Sequence, residues 1–421
     1  MKVKIVSFIL LLISYATIAY SYIFVPMDLS QANHLKAYGL VYFALSKGFK
    51  AKWLLNYRGG SFVILSEDEA VTDWAITRLV TFEKISPEEL DGIESSFASK
   101  NCKSVELVVA PRIAVYAPPW NMPWDDAVSL VLKYAEIPYT RIWDEEVMHG
   151  ALERGEFDWL HLHHEDFTGQ HGKFWFAYGD ENWYKNREGY FLETAKKLGF
   201  SSIQEEKKAI ALKIKKYVEN GGFLFAMCAA TDTLDIALAT IGIDIIPPEI
   251  DGTPVDNDIE KRINYENTFA FKDFKIITSP YIYEFSEIDI DPASENILFS
   301  PFYFELEDFS VYYDTIPSIL TQNHTKKIKG FLGQTTGFRM EKLKDNIVLL
   351  SRVEGKNWVN YIHGNCKEGF FTFLGGHDPE DYSHKVGDPP TNLDLYPNSA
   401  GYRLILNNVF LPATKEKKKK T

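Results

Sequence analysis

A thiol, an imidazole and an acid brought to one point can carry out nucleophilic acyl transfer, and this chain places one of each where strand-like runs end. Cys228 closes the apolar run Phe223–Met227 and precedes Ala229-Ala230-Thr231-Asp232, where a helix opens with Thr231 or Asp232 as its N-cap. Chemistry in open α/β sheets collects at the carboxyl ends of strands, and helix N–H groups there favour a thiolate. A nucleophile elbow needs small residues two positions to either side, which Ala226 and Ala230 supply. The N–H of Ala229 would then donate to an oxyanion. His377 follows the run Gly369–Leu374 and two glycines, with Asp378 and Glu380 placed to orient its ring. This spacing predicts Cys228 as nucleophile, His377 as base and Glu380 or Asp378 as orienter. The plainer reading is a buried cysteine that only packs.

A second polar group lies upstream, where His161, His163, His164, Glu165 and Asp166 cluster and His171 follows. Strand alternation sets His161 and His163 on one face and leaves His164 and Asp166 on the other or in the loop beyond. Imidazoles with a carboxylate suit zinc or another borderline divalent ion. They equally describe hydrogen-bonded histidines lining a cleft, and no spacing here names a metal. On either reading His161, His163, His164, Asp166 and Ala229 line a pocket. Phe174, Trp175, Phe176, Tyr178, Trp183, Tyr184 and Tyr190 read as an aromatic loop whose rings stack on sugar faces or pack as a lid. Arg58-Gly59-Gly60-Ser61 reads as an anion-holding turn or a plain one.

A layered sheet is needed to bring such distant segments together, and the chain alternates accordingly. Residues 22–104 form an N-terminal α/β segment: strand Tyr22–Val25, helix Ala32–Ser46 and strand Lys50–Leu55 make a β-α-β unit. The strand Phe62–Leu65, helices Asp68–Arg78 and Pro87–Ser99, and strand Val80–Ile85 continue it as half of a layered sheet, either a small domain of its own or an extension of the next. Residues 105–244 repeat the pattern through strands Arg112–Tyr116, Thr140–Asp144, Asp158–His163 and Phe223–Met227. Between them lie helices Trp124–Ala135, Glu145–Glu153 and the amphipathic Glu205–Asn220, with Leu234–Ile241 after the last strand. Residues 245–345 change character; Pro248, Pro254 and runs such as Tyr281–Ile288 and Phe302–Tyr313 predict a β-rich insertion. The alternation resumes over 346–412, with strands Asn346–Val353, Trp358–Ile362 and Gly369–Leu374 and a closing helix Ala400–Val409. Repeated β-α-β units of this length predict a parallel sheet with helices on both faces.

Composition narrows the partners. With 421 residues, 46% hydrophobic and 24% charged, the chain has a globular core and room for two domains or one with an insertion. A net charge of −13 and no basic stripe exclude a nucleic-acid partner. The basic tail, residues 413–421, reads as a solvated end. Lys2 and Lys4, the apolar run Ile5–Ile18 and the small residues around Ala19-Tyr20-Ser21 predict a signal peptide over residues 1–21. The expected location is therefore secreted or periplasmic, with no membrane span after cleavage. Of three cysteines, Cys102 and Cys366 lie in polar contexts and could pair in an oxidising compartment, leaving Cys228 free.

The segments Arg112–Tyr116, Asp158–Asp166, Gly222–Asp232 and Trp358–Glu380 (W-V-N-Y-I-H-G-N-C-K-E-G-F-F-T-F-L-G-G-H-D-P-E) resemble the class I glutamine amidotransferase-like superfold, ThuA-like branch. The resemblance covers roughly residues 110–241 and 345–412 and implies a flavodoxin-like α/β fold. It implies a cysteine, a histidine and a glutamate in an H-P-E motif as catalytic residues, which map onto Cys228, His377 and Glu380. This chain reads H-D-P-E, one residue longer, and has alanines where elbow glycines are usual. The whole chain also resembles secreted bacterial proteins labelled asparagine synthetase B. That label implies an N-terminal cysteine nucleophile and an S-G-G-x-D-S loop, whereas position 2 is Lys2 and no such loop occurs. The expected function is a cysteine-dependent hydrolase of amide or glycan-derived small substrates. A carbohydrate- or partner-binding protein without activity and a metal-dependent hydrolase built on His161–Asp166 are the alternatives.

Overall fold

The computed structural model describes residues 21–414 apart from 121–125 and 384. Nearly all of the signal-like segment and most of the basic tail lie outside the described residues. The chain opens with β1 (Tyr22–Val25), α1 (His34–Ser46), β2 (Ala51–Leu55), β3 (Ser61–Ile64), α2 (Glu69–Thr77), β4 (Glu83–Ile85), α3 (Pro87–Ser95) and β5 (Lys103–Leu107). These five strands form a sheet of their own in the order β4-β1-β3-β2-β5, with every neighbouring pair antiparallel. The layered half-sheet expected from a simple β-α-β unit is thereby corrected. β1 and β2 do run the same way with α1 crossing between them, but β3 is inserted between the two, as in a split β-α-β arrangement. The β2–β3 connection decides this: Asn56, Arg58, Gly59 and Gly60 all adopt positive φ, and so tight a turn can only reverse the chain.

The larger sheet begins with β6 (Ile113–Tyr116), α4 (Ala127–Tyr134), β7 (Thr140–Ile142), α5 (Asp144–Met148) and β8 (Trp159–Leu162). It continues through α6 (Trp175–Tyr178), α7 (Asn182–Lys197), α8 (Ile203–Glu219), β9 (Phe223–Met227) and α9 (Ala229–Ala239). An irregular stretch then carries α10 (Pro248–Asp251), α11 (Ile259–Arg262), β10 (Tyr303–Leu306), α12 (Thr315–Leu320), β11 (Lys327–Lys329) and β12 (Phe338–Arg339). The chain closes with β13 (Val348–Leu349), β14 (Ser351–Val353), β15 (Trp358–Val359), β16 (Tyr361–Cys366), β17 (Gly369–Leu374) and α13 (Ala400–Phe410). The seven-stranded order is β13-β16-β17-β9-β8-β6-β7, parallel from β17 to β7 with β16 and β13 antiparallel at one edge.

Alternation along β9 shows why helices cover both faces. Phe223, Phe225 and Met227 join one apolar cluster with α4 and α13, while Leu224 and Ala226 join another with α8 and α9. α1 packs against α4 and α13 and is apolar nearly all round, as a helix held between two layers must be. The insertion contributes strands to two small antiparallel sheets, β11-β10-β14 and β12-β15, and spends much of its length in turns.

Residues 174–190, expected as an aromatic loop, are largely helical in α6 and α7. Tyr184, Arg187, Phe191, Thr194 and Ala195 recur at helical spacing and are buried, a period masked by the density of rings. All three cysteines are free, so the Cys102–Cys366 bridge does not form. Among the described residues no helix is long and apolar enough to cross a membrane.

Candidate functional site

Backbone hydrogen bonds stitch three strand ends into one rim. The N–H of Cys228 donates to Leu374 O at the end of β17, and the N–H of Ala230 donates to His163 O just past β8. Cys228 itself, not Thr231 or Asp232, occupies the N-cap position of α9, with φ 50° and ψ −137°. A non-glycine residue held at positive φ at a strand-to-helix turn is the strained geometry of a nucleophile elbow. Locally, then, the sharp turn expected at Cys228 is present.

The thiol itself is sealed. Cys228 is 2% exposed, and a loop of the insertion, residues 332–336, lies over it. The sulfur faces the backbone N–H groups of Thr335, Gln334 and Ala229, so the Ala229 amide serves the thiol rather than an open oxyanion site. A Cβ added at Gly333 would lie 2.9 Å from Cys228 Sγ and 3.0 Å from the Gly376 backbone, which places this glycine between the thiol and the strand leading to His377. Further bonds fasten the same loop, from Gly376 N–H to Thr335 O and from His377 N–H to Leu332 O. Among the described residues no hydrogen bond joins Cys228 to His377. Burial pushes the thiol up to about 11 despite the N–H donors, the reverse of the thiolate expected from its place at a helix N-terminus.

His377 turns instead toward the histidines after β8. Its ring centroid lies 4.3 Å from that of His164 and 5.0 Å from that of His163, and His163 and His164 stack at 3.8 Å with 16° between planes. The strand ends at Leu162, so the alternation expected to part His163 from His164 has already stopped. One donor atom from each of His163, His164 and His377 lies within 4.8 Å of the other two.

Asp126, at the start of α4, supports this group. Its carboxylate caps α4 by accepting the N–H groups of Val128 and Ser129, and it lies 3.3 Å from His163 Nδ1 and 3.4 Å from His161 Nε2. Burial works to raise the Asp126 carboxyl, but His161 and His163 outweigh it and hold the carboxyl well below its usual range. His161 Nδ1 faces Phe225 O at 3.2 Å, so both of its nitrogens point at acceptors. Burial lowers the pKa of His163, partly offset by Asp126, and favours its neutral ring. With Nδ1 turned to Asp126, the lone pair of neutral His163 sits on Nε2, which is buried and has no hydrogen-bond partner among the described residues. The only signal for Asp126 in the sequence was its place after β6, at the carboxyl rim shared with the histidines.

The remaining candidates hold turns and line a cavity beside this group. Asp378 is fully buried and accepts the N–H groups of Glu380 and Asp381 and the hydroxyls of Thr391 and Tyr402, so it fixes the turn after His377. The carboxyl of Glu380 bonds to Ser399 at the start of α13, and burial raises its pKa. Asp166 caps a turn through the N–H groups of Thr168 and Gly172. His171 lies 3.9 Å from Glu188, and burial drops its pKa to about 3. A narrow cavity opens behind His164, lined by Glu165, Asp166, His171, Arg187 and Lys207, with water-sized free volume of about 10 Å³. Burial pushes the Glu165 carboxyl up to about 8. Arg58 is taken up by Asp28 at 2.7 Å and Glu83 at 2.8 Å, so the glycine turn is a structural one.

No protein-family model matches the sequence, and no curated protein matches it. Solved structures with a similar course include a cytoplasmic protein from Salmonella typhimurium LT2, at 11% identity and TM-score 0.37, over 72% of this chain and all of that one. A putative ThuA-like protein from Bacteroides uniformis matches at 7% identity and TM-score 0.32, over 73% of this chain and 92% of that one. A β-galactosidase from Bacillus circulans sp. alkalophilus matches at 9% identity and TM-score 0.28, with 73% of this chain aligned to 31% of that one. At these values the likenesses define no family and transfer no activity.

Proposed function

We propose that this chain is a hydrolase of small polar substrates, amide or glycan-derived, in which water rather than a thiol is the nucleophile. The imidazole face of His163, His164 and His377 activates that water. The observation that carries the reading is the convergence of three imidazoles at the carboxyl rim of β8 and β17 while Cys228 lies sealed behind Gly333. Imidazole is the side chain best suited to bind or deprotonate water near neutral pH. Asp126 orients His163 in the way a carboxylate orients a working histidine. We also place the protein outside the cytoplasm, on the strength of its signal-like N-terminus.

The test is a panel of p-nitrophenyl esters, anilides and aryl glycosides at pH 7. Cys228→Ala is expected to keep the wild-type rate within about twofold, whereas His163→Gln and His377→Gln each lose about 100-fold or more, the usual worth of an acid–base group. An inactive Cys228→Ala beside active histidine variants would reverse the assignment.

A further inference from the structure

We infer that the face formed by His163, His164 and His377 is a binding site for one divalent metal ion of the zinc class. This rests on the reading above for where the reaction occurs and adds what activates the water. A general base needs one imidazole. Three rings whose donor atoms all lie within 4.8 Å of one another are more than that task needs, and the same spacing suits one cation shared by all three.

His163 shows the arrangement most clearly. The residue is 1% exposed, its Nδ1 lies 3.3 Å from Asp126, and its buried Nε2 has no hydrogen-bond partner among the described residues. A histidine that gives one N–H to a carboxylate and turns its other nitrogen inward is the usual support for a metal-ligating imidazole. Asp126 brings the negative charge that a buried cation needs, and its backbone partners in the α4 cap hold it in place. The donor set is nitrogen only, because the Cys228 sulfur is screened by the loop that contains Gly333. That composition favours zinc and its neighbours over calcium or magnesium. Tetrahedral coordination at about 2.1 Å needs nitrogens about 3.4 Å apart, so side-chain rotations of about an ångström close the site. Three protein ligands leave a fourth position for water. Bound there, water loses a proton to solvent at neutral pH, and the resulting hydroxide bonds to the substrate carbon. The bond to the leaving group breaks with its electron pair, and the leaving group takes up a proton from solvent.

The experiment uses full-length, tag-free protein, stripped with a chelator and titrated with zinc chloride, with zinc content measured after desalting. One zinc per chain is expected for wild type and for Cys228→Ala, and at least tenfold weaker binding for His164→Gln and His377→Gln. Cobalt in place of zinc should give the intense visible absorption of a four-coordinate ion in wild type and lose it in His377→Gln. Asp126→Asn retains an N-capping side chain and so keeps the fold, while zinc affinity falls by about 10–100-fold. Zinc held equally by wild type and both histidine variants, or lost from wild type on desalting, overturns the inference. Stoichiometric zinc without hydrolysis anywhere on the panel removes the hydrolase and keeps the site. Hydrolysis undiminished in zinc-free protein removes the metal and keeps the hydrolase.

Discussion

Cys228 holds a strained backbone and a protected side chain at once, and these have separate causes. The turn forces positive φ, and the loop carrying Gly333, Gln334 and Thr335 covers the sulfur. With the thiol raised to about 11, its thiolate fraction at pH 7.5 falls about 300-fold below that of a free cysteine near 8.5. Residue-resolved iodoacetamide labelling of native protein should therefore modify half-buried Cys366 first and leave Cys228 untouched until the protein unfolds. Labelling of native Cys228 at the rate of a free thiol would contradict the sealed geometry. The residue types at this rim were legible in the sequence: Cys228, His163, His164 and His377 all sit at strand ends of one sheet. What the thiol faces was not legible, because the covering loop arrives from about a hundred residues further along the chain.

Among the elements, α1 joins the two sheets. A Cβ added at Gly39 would lie 1.9 Å from Ala135 O, a backbone atom at the end of α4 that cannot rotate away. Gly39→Ala should lower stability by about 1–3 kcal/mol in urea denaturation through overpacking. Gly92→Ala, in α3 with nothing within 4 Å of the new carbon, should raise it by about 0.5–1 kcal/mol. Equal effects at the two positions would mean that α1 does not dock as described. Element positions in the parallel sheet followed readily from short apolar runs and capping residues. The failures were of pairing and period: nothing local tells β1 that β3 will come between it and β2, and the rings of α7 hid a helical repeat.

Across the whole molecule, buried titratable groups set the pH response. Burial raises Glu206 to about 8 and Asp232 to about 7, so these acids stay protonated in the folded chain at a pH where the unfolded chain has ionised them. A raised carboxyl contributes stability that is present below its unfolded pKa and is lost as pH climbs through the folded one. Burial lowers His34 to about 4 and His324 to about 3, and these work the other way, gaining stability as pH rises toward 6.5. Above 6.5 the imidazoles contribute progressively less, and Glu206 and Glu165, both raised to about 8, dominate, while buried Lys173 and Lys208, lowered to about 8, begin to offset them only near the top of the interval. The melting temperature should therefore fall between pH 6.5 and 8, by an amount equivalent to about 1–3 kcal/mol, and Glu206→Gln should flatten the decline. A melting temperature that rises over this interval in wild type would show that these carboxyls are ionised in the fold.

The α/β class, the strand ends that carry polar side chains and the turn at residue 228 are written locally along the chain, because periodicity, capping and small-residue placement are local properties. Tertiary structure alone decided that His377 joins His163 and His164 rather than Cys228, and that Asp126 stands behind them. Those choices depend on strand order and on which loop fills the space above the rim, and both arise from packing between segments far apart in the chain.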